Sequence, residues 1–145
     1  DLVPNEITNK LASQAIEDNE KLIFDGYPRN EGQAEFLKEE ADVDKMVVIQ
    51  LSENESIRRI SSRRVCTECG KSYNLEFKPP KKSGECECGG ELEQREDDQP
   101  EAVKNRLQIY KDKTEPLIEM FDSVRIDGDQ SIQKVHEDIV NALDL

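Results

Sequence analysis

Short apolar runs alternate with stretches of helical periodicity along this chain, which predicts an α/β fold with a parallel sheet flanked by helices. The runs at residues 21–24 and 45–51 have the length and apolar content of buried parallel strands. A third run, at residues 124–128, predicts the last strand. Because open α/β sheets bind ligands beyond the carboxyl ends of their strands, the polar residues that follow residue 24 are candidate ligand contacts.

Helical periodicity accounts for most of the remaining chain. Ile7, Leu11 and Ala15 recur every four residues and predict a first helix that ends near Asp18. Further helices are predicted at residues 31–40, from about residue 53, from residue 100 to about 121, and from residue 131.

The helix from residue 53 is predicted to carry four arginines, which are Arg58, Arg59, Arg63 and Arg64. Their spacing of four is expected to place Arg59 and Arg63 on one helical face. Charged helical faces are usually solvated or salt-bridged, so this pattern alone does not establish a binding site.

Composition limits the classes of function. The 145 residues suffice for one domain with a modest core, and 37% of them are charged, with a net charge of −13. Such acidity argues against a nucleic-acid partner. The sequence has no apolar run near eighteen residues and no signal peptide, so we expect no membrane partner and a cytoplasmic location.

The four cysteines have the spacing of a metal site. Cys66 and Cys69 form a CxxC pair, and after sixteen residues Cys86 and Cys88 form a CxC pair. Four thiolates about 2.3 Å from one Zn²⁺ would make a closed, structural site. Two disulfides or unused thiols are the alternatives, and the missing secretory signal favours metal over oxidation. The tighter CxC spacing makes Cys86 the weakest candidate of the four.

The cysteines lie in a segment that we predict to be a self-contained flap. Alternation at residues 71–77 predicts a strand, Pro79 and Pro80 end it, and residues 91–93 are expected to return as its partner strand. The flap is too small to bury a core of its own, so a metal ion would hold it together.

Several stretches together resemble the long form of adenylate kinase, which carries a zinc-binding lid. They are RRVCxxCG, FKPPKKSG and CGGELxQRxDD around the cysteines, and upstream FDGYPR with a glutamine four residues beyond its arginine. The resemblance extends from residue 1 to about 141. It implies core segments at residues 1–62 and 99–145, a zinc lid at 63–98, and the reaction ATP + AMP ⇌ 2 ADP with Mg²⁺.

The resemblance also implies roles for single residues. By chemistry alone, Arg29 offers a planar fork for a phosphate and Gln33 a donor and an acceptor for a base edge. The AMP contacts implied are Leu2, Val3, Asp25, Gly26, Arg29, Gln33, Arg95 and Arg106. Asp25 would also face the water shell of Mg²⁺.

For ATP, the resemblance implies contacts from Arg59, Arg63 and the loop at residues 128–130, including Gln130. Phosphoryl transfer would depend on four arginines, which are Arg59, Arg63, Arg95 and Arg106. Asp97 or Asp98 is expected to orient the pair Arg95 and Arg106 from behind. The expected partners are ATP, AMP and ADP, and the complete protein is expected to be a monomer.

One element of such a kinase is missing from the printed sequence, because no GxxxxGK[ST] loop occurs in it. We therefore expect a carboxyl-terminal portion without the first strand, the P-loop and most of the AMP-binding flap. That strand would lie between residues 21–24 and 45–51, so the isolated chain is expected to be poorly stable and inactive alone.

Two other functions remain open at this stage. A kinase of another nucleoside monophosphate would share the same parts. A non-catalytic zinc-ribbon module would explain the cysteines. It would explain neither Gln33 nor the five arginines that match phosphate contacts, which are Arg29, Arg59, Arg63, Arg95 and Arg106.

Overall fold

The computed structural model describes residues 3–144, which form two compact units. The two-strand unit comprises residues 3–50 and 109–144, and the cysteine unit comprises residues 51–108. The helices are α1 (Asn5–Asp18), α2 (Glu31–Glu40), α3 (Glu53–Ser61), α4 (Pro100–Lys113) and α5 (Ile132–Ala142), with 3-10 helices at Glu96–Asp98 and Glu115–Met120. The strands are β1 (Met46–Gln50), β2 (Arg63–Cys66), β3 (Ser72–Asn74), β4 (Leu92–Glu93) and β5 (Ser123–Asp127).

The two-strand unit confirms the predicted α/β class with a parallel sheet. Strands β1 and β5 run parallel, in a register that joins Met46 to Ser123 and Gln50 to Asp127. Helix α5 packs against β5, and α1 packs against α2. The unit's apolar core consists of Ala12, Ala34, Leu37, Val48, Leu117, Ile118 and Ile126.

The predicted strand at residues 21–24 is wrong, since this segment is irregular. A strand is stable only when its backbone groups pair with a neighbour, and among the described residues β1 pairs with β5 alone in its sheet. Leu22 and Ile23 are exposed, Ile23 to 93%, and Phe24 is partly buried against Tyr27. Strand β1 itself is less buried than predicted, because Val48 is buried but Ile49 is 52% exposed.

The cysteine unit contains an antiparallel sheet in the order β3-β2-β4. Residues 71–77 and 91–93 were predicted to pair with each other, which is wrong, because β3 and β4 each pair with β2. Strand β3 is also shorter than predicted. The side chain of Asn74 accepts hydrogen bonds from the backbone N–H groups of Glu76 and Phe77, and these bonds turn the chain.

Helix α3 ends earlier than predicted, so Arg59 and Arg63 do not share a helical face. The hydroxyl of Ser62 donates to the carbonyl of Arg58 at 2.8 Å, beside the last turn of the helix. Arg63 and Arg64 then lie in β2, where pairing with β3 satisfies the backbone. The arginine spacing is compatible with a helix, but pairing with β3 places Arg63 and Arg64 in a strand instead.

The single long helix predicted from residue 100 to about 121 is likewise wrong. Helix α4 ends at Lys113, and a 3-10 helix follows at Glu115–Met120. Pro116 has no backbone N–H to donate to the carbonyl four residues earlier, so α4 cannot continue through it. No helix in the described part of the chain is both long and apolar enough to cross a membrane.

Candidate functional site

The sulphur atoms of Cys66, Cys69, Cys86 and Cys88 all lie within 4.8 Å of one another. The sulphur atoms of Cys66 and Cys88 are 3.5 Å apart, and those of Cys69 and Cys86 are 3.6 Å apart. A tetrahedron with metal–sulphur bonds of about 2.3 Å has edges of about 3.8 Å, so the cluster matches a tetrahedral site. All four cysteines are free thiols, and the separations far exceed a disulfide bond. The cluster can hold a metal ion.

Two tight turns bring the sulphurs together. In the CxxC turn the N–H of Gly70 donates to the carbonyl of Cys66, and in the CxC turn the N–H of Gly89 donates to Cys86. Gly70 and Gly89 have φ values of 71° and 89°, which favour glycine. Gly90 is needed for a different reason, because a Cβ there would lie 2.7 Å from the Cys66 sulphur. The glycines after each pair were recognised in the sequence, but this close approach was not.

The thiols of Cys86 and Cys88 differ in acidity. The backbone N–H of Cys88 and the hydroxyl of Tyr73 lower the pKa of Cys86 to about 6. The backbone N–H of Gly90 lowers the pKa of Cys88, but contacts with the other three sulphurs outweigh it and raise that pKa to about 12. Four adjacent thiols therefore do not all ionise unaided, and a bound dication would release the remaining protons.

Arg63 is held by a buried carboxylate in the same unit. Its Nε donates to Asp98 at 2.8 Å, and a terminal nitrogen donates to the other oxygen. The Asp98 side chain is fully buried, whereas that of Arg63 is 34% exposed. The hydrogen bonds that Arg63 donates to Asp98 raise the pKa of Arg63 further. The Arg63 side chain is thus fixed by Asp98 and remains one-third exposed.

Arg95 and Arg106 are more exposed. Arg106 lies 3.9 Å from Asp98 and 3.4 Å from the carbonyl of Asp97, and Arg95 lies 3.6 Å from the Asp97 carboxylate. Both aspartates therefore contact the arginine pair that they were expected to orient. The stronger pairing of Asp98 with Arg63 was not predicted.

Arg59 is paired with Glu55, which the sequence reasoning did not single out. The Nε of Arg59 donates to Glu55 at 2.5 Å, and Arg58 donates two hydrogen bonds to the same carboxylate. Both guanidinium carbons lie 5.1 Å from the centre of the Phe77 ring. The spacings of three and four residues along α3 are the signal that could have identified Glu55.

Arg29 and Gln33 lie in the two-strand unit. The exposed Arg29 donates from Nε to the carbonyl of Gly26 at 2.7 Å. Gln33 is 5% exposed, and its amide accepts from the backbone N–H of Arg29 and donates to Asn5 and Thr8. Gln33 therefore stabilises the turn that carries Arg29. To read a base edge, its amide would have to exchange these partners.

The remaining predicted contacts also have defined surroundings, except Leu2, which lies outside the described residues. Val3 is 56% exposed, and Asp25 and Gly26 are exposed in the loop before Arg29. Gly26 has a φ of 75°, and a Cβ there would lie 2.6 Å from the Arg29 guanidinium. The side chain of Gln130 donates to the carboxylate of Asp138 at 2.7 Å.

Comparisons with known proteins agree on one family. A sequence model described as adenylate kinase matches residues 1–126. The chain is 40% identical to an adenylate kinase of Haloarcula marismortui, covering 99% of this chain and 69% of that protein. It is 41% identical to an adenylate kinase of Petrotoga mobilis, with shares of 99% and 71%, and 43% identical to one of Pyrococcus abyssi, with shares of 99% and 70%.

Proposed function

The chain belongs to the adenylate kinase family, and we propose a role for each of its candidate residues in the reaction ATP + AMP ⇌ 2 ADP. Phosphoryl transfer requires in-line positioning and neutralisation of phosphate charge more than covalent chemistry. Mg²⁺ bound with ATP supplies part of that charge. The chain contributes the remaining positive charge through its arginines. The hydrogen bonds and ion pairs that fix each arginine support its proposed role.

Arg63 is the proposed contact to the phosphoryl group in transit. The observation that carries this assignment is its pairing with the buried Asp98 carboxylate while a third of the side chain stays exposed. A guanidinium fixed from behind can donate to phosphate oxygens without first being ordered, which is the basis of preorganised charge stabilisation. Arg95 and Arg106, next to the same pair of aspartates, would add charge for the phosphates of both nucleotides.

Arg59 is the second proposed ATP contact. Glu55 accepts a hydrogen bond from the Arg59 guanidinium, and the Phe77 ring lies beside that group. These two contacts fix the orientation of the guanidinium. Gln130, in the loop after β5, is the third, and its loop would contact the ATP base through the backbone. These assignments rest on the family resemblance together with the geometry around each side chain.

The AMP contacts are proposed in the two-strand unit. Arg29 follows Gly26 in a short loop, and its backbone is tied to Gln33 and to Thr114, whose hydroxyl donates to the Arg29 carbonyl at 2.9 Å. Such fixing would let Arg29 bind the AMP phosphate throughout the reaction. Val3 and Leu2 would lie against the base, Gln33 would read its edge, and Asp25 would order water around Mg²⁺.

Zn²⁺ is the proposed metal of the four-cysteine cluster. A set of four thiolates with tetrahedral spacing suits Zn²⁺ and leaves no open coordination position, so the ion would stabilise the fold and take no part in the chemistry. Free thiols around a metal suit a reducing compartment such as the cytoplasm. We also propose that the complete protein is a monomer.

A phosphotransfer assay on the complete protein tests the proposal. With Mg²⁺-ATP as donor, we expect AMP to be converted to ADP much faster than GMP, CMP or UMP is phosphorylated. Faster turnover of another nucleoside monophosphate would indicate a different kinase specificity. Zinc binding without transfer to any of the four acceptors would indicate a non-catalytic module.

A further inference from the structure

Tyr73 contacts the metal cluster at one specific corner. Its hydroxyl lies 3.3 Å from the sulphur of Cys86 and accepts a hydrogen bond from the backbone N–H of Glu87 at 3.2 Å. Glu87 is the single residue between the two cysteines of the CxC pair. The tyrosine therefore bonds both to the ligand atom and to the backbone that positions it.

The tyrosine is itself held firmly. It is 5% exposed and forms a buried cluster with Cys66 and Cys86. Its backbone lies in β3, opposite Arg64 of β2. The ammonium of Lys71 lies 5.5 Å from the ring centre and also pairs with Glu87. The hydroxyl thus has little freedom to leave its position.

The direction of the hydrogen bonds follows from the donor count. The tyrosine hydroxyl has one hydrogen to donate, and its oxygen already accepts a hydrogen bond from the backbone N–H of Glu87. The hydrogen is therefore available for the Cys86 sulphur, which as a thiolate can only accept. Because the N–H of Glu87 is used by Tyr73, that backbone group is not a donor to a sulphur. Within the described residues, Cys86 is the one cysteine whose sulphur lies within hydrogen-bond distance of a side-chain hydroxyl.

We propose that Tyr73 is a positioning residue of the metal centre, whose hydroxyl orients the Cys86 thiolate and increases the affinity of the four-cysteine site for Zn²⁺. The inference rests on the proposed zinc site and adds a residue outside the four ligands. Within the CxC turn the backbone N–H of Cys88 also donates to the Cys86 sulphur. The tyrosine hydroxyl adds a second donor, from outside the turn. Hydrogen bonds to metal ligands typically change metal affinity by about 10- to 100-fold.

The test compares Tyr73→Phe with Tyr27→Phe, which removes a hydroxyl bonded to Asn9 and distant in sequence from the cysteines. Zinc affinity is measured by competition with a chromophoric chelator. We expect Tyr73→Phe to weaken zinc binding about 10- to 100-fold and Tyr27→Phe to leave it unchanged. Equal affinities in wild type and Tyr73→Phe would overturn the inference. Failure of the wild type to bind zinc would instead contradict the zinc site.

A spectroscopic readout separates positioning from a general loss of stability. With Co²⁺ in place of Zn²⁺, loss of a hydrogen bond to a thiolate raises the energy of the sulphur lone pairs and should move the charge-transfer band to longer wavelength. We expect that shift in Tyr73→Phe and not in Tyr27→Phe. If Tyr73→Phe does not fold, a crystal structure of the zinc-loaded wild type decides, because a Tyr73 hydroxyl beyond hydrogen-bond distance from Cys86 would exclude the proposed role.

Discussion

Arg63 donates two hydrogen bonds to the carboxylate of Asp98, although 35 residues separate them in the sequence. The contact joins the first residue of β2 to the 3-10 helix at Glu96–Asp98, on either side of the four cysteines. Asp98 has no exposed side-chain surface, so its charge is balanced inside the protein. The pair therefore has two effects. It stabilises the cysteine unit, and it fixes the position of Arg63, the proposed phosphate contact.

Replacement of Asp98 by asparagine should destabilise the protein. The change leaves a partly buried guanidinium without its anionic partner, and hydrogen bonds to charged groups contribute about 1.5 to 3 kcal/mol. Asp97→Asn is the matched control, because that side chain is 67% exposed and its change should cost less than about 1 kcal/mol. Denaturant unfolding of both zinc-loaded variants measures the difference. Equal stabilities would show that the buried pair contributes no more than an exposed one.

Replacement of Gly90 by alanine should abolish or strongly weaken metal binding. An added Cβ would lie 2.7 Å from the Cys66 sulphur, so one ligand has to move. Gly89→Ala is the control, because its positive φ strains alanine but nothing lies within 4 Å of the new carbon. Elemental analysis should find one zinc per chain in wild type and Gly89→Ala, and little in Gly90→Ala. A full complement in Gly90→Ala would show that the close approach is not required.

Glu55 should make the stability of the fold depend on pH in acid. Hydrogen bonds from Arg58 and then Arg59 lower its pKa from 4.5 to about 2. Because the folded-state pKa is the lower one, this stabilisation is present above about pH 4.5 and is lost as the pH falls toward 2.

The measurement compares melting temperatures of wild type and Glu55→Gln between pH 6 and pH 2. The difference in melting temperature in favour of wild type should shrink as the pH falls. Loss of metal in acid affects both proteins, so it cancels in this difference. Glu35→Gln, a change at an exposed site, controls for the loss of one carboxylate. A difference that stays constant over this range would contradict the pairing of Glu55 with the two arginines.

The sequence predicts correctly those elements that are stabilised by residues close to them in the chain. Helix α2 has the predicted bounds and α1 the predicted end, because periodicity and a capping residue such as Asn30 act within a few residues. The cysteine cluster was also predictable, because cysteine spacing followed by glycine has few other structural explanations.

Elements that depend on distant partners were not predictable in this way. Residues 21–24 have the composition of a strand, but residues 3–144 contain no strand that pairs with them. The arginine spacing predicts a helix at β2, whose pairing partners come later in the chain. The same reason applies to the site. Asp98 was expected beside Arg95 and Arg106, but its pairing with Arg63, 35 positions away, was not. The contact of Tyr73 with Cys86, 13 positions away, likewise has no local pattern that marks it.

Arg63 and Arg29 are proposed to act on different phosphates, the one in transit and that of AMP, and steady-state kinetics of the two alanine variants of the complete protein test this claim. Each lost contact should cost on the order of 2 to 4 kcal/mol. Arg63→Ala should mainly lower kcat, because this arginine is proposed to act on the phosphoryl group in transit. Arg29→Ala should mainly raise the KM for AMP and leave the KM for ATP nearly unchanged. Equal weakening of ATP and AMP in Arg29→Ala, or an unchanged kcat in Arg63→Ala, would contradict the claim.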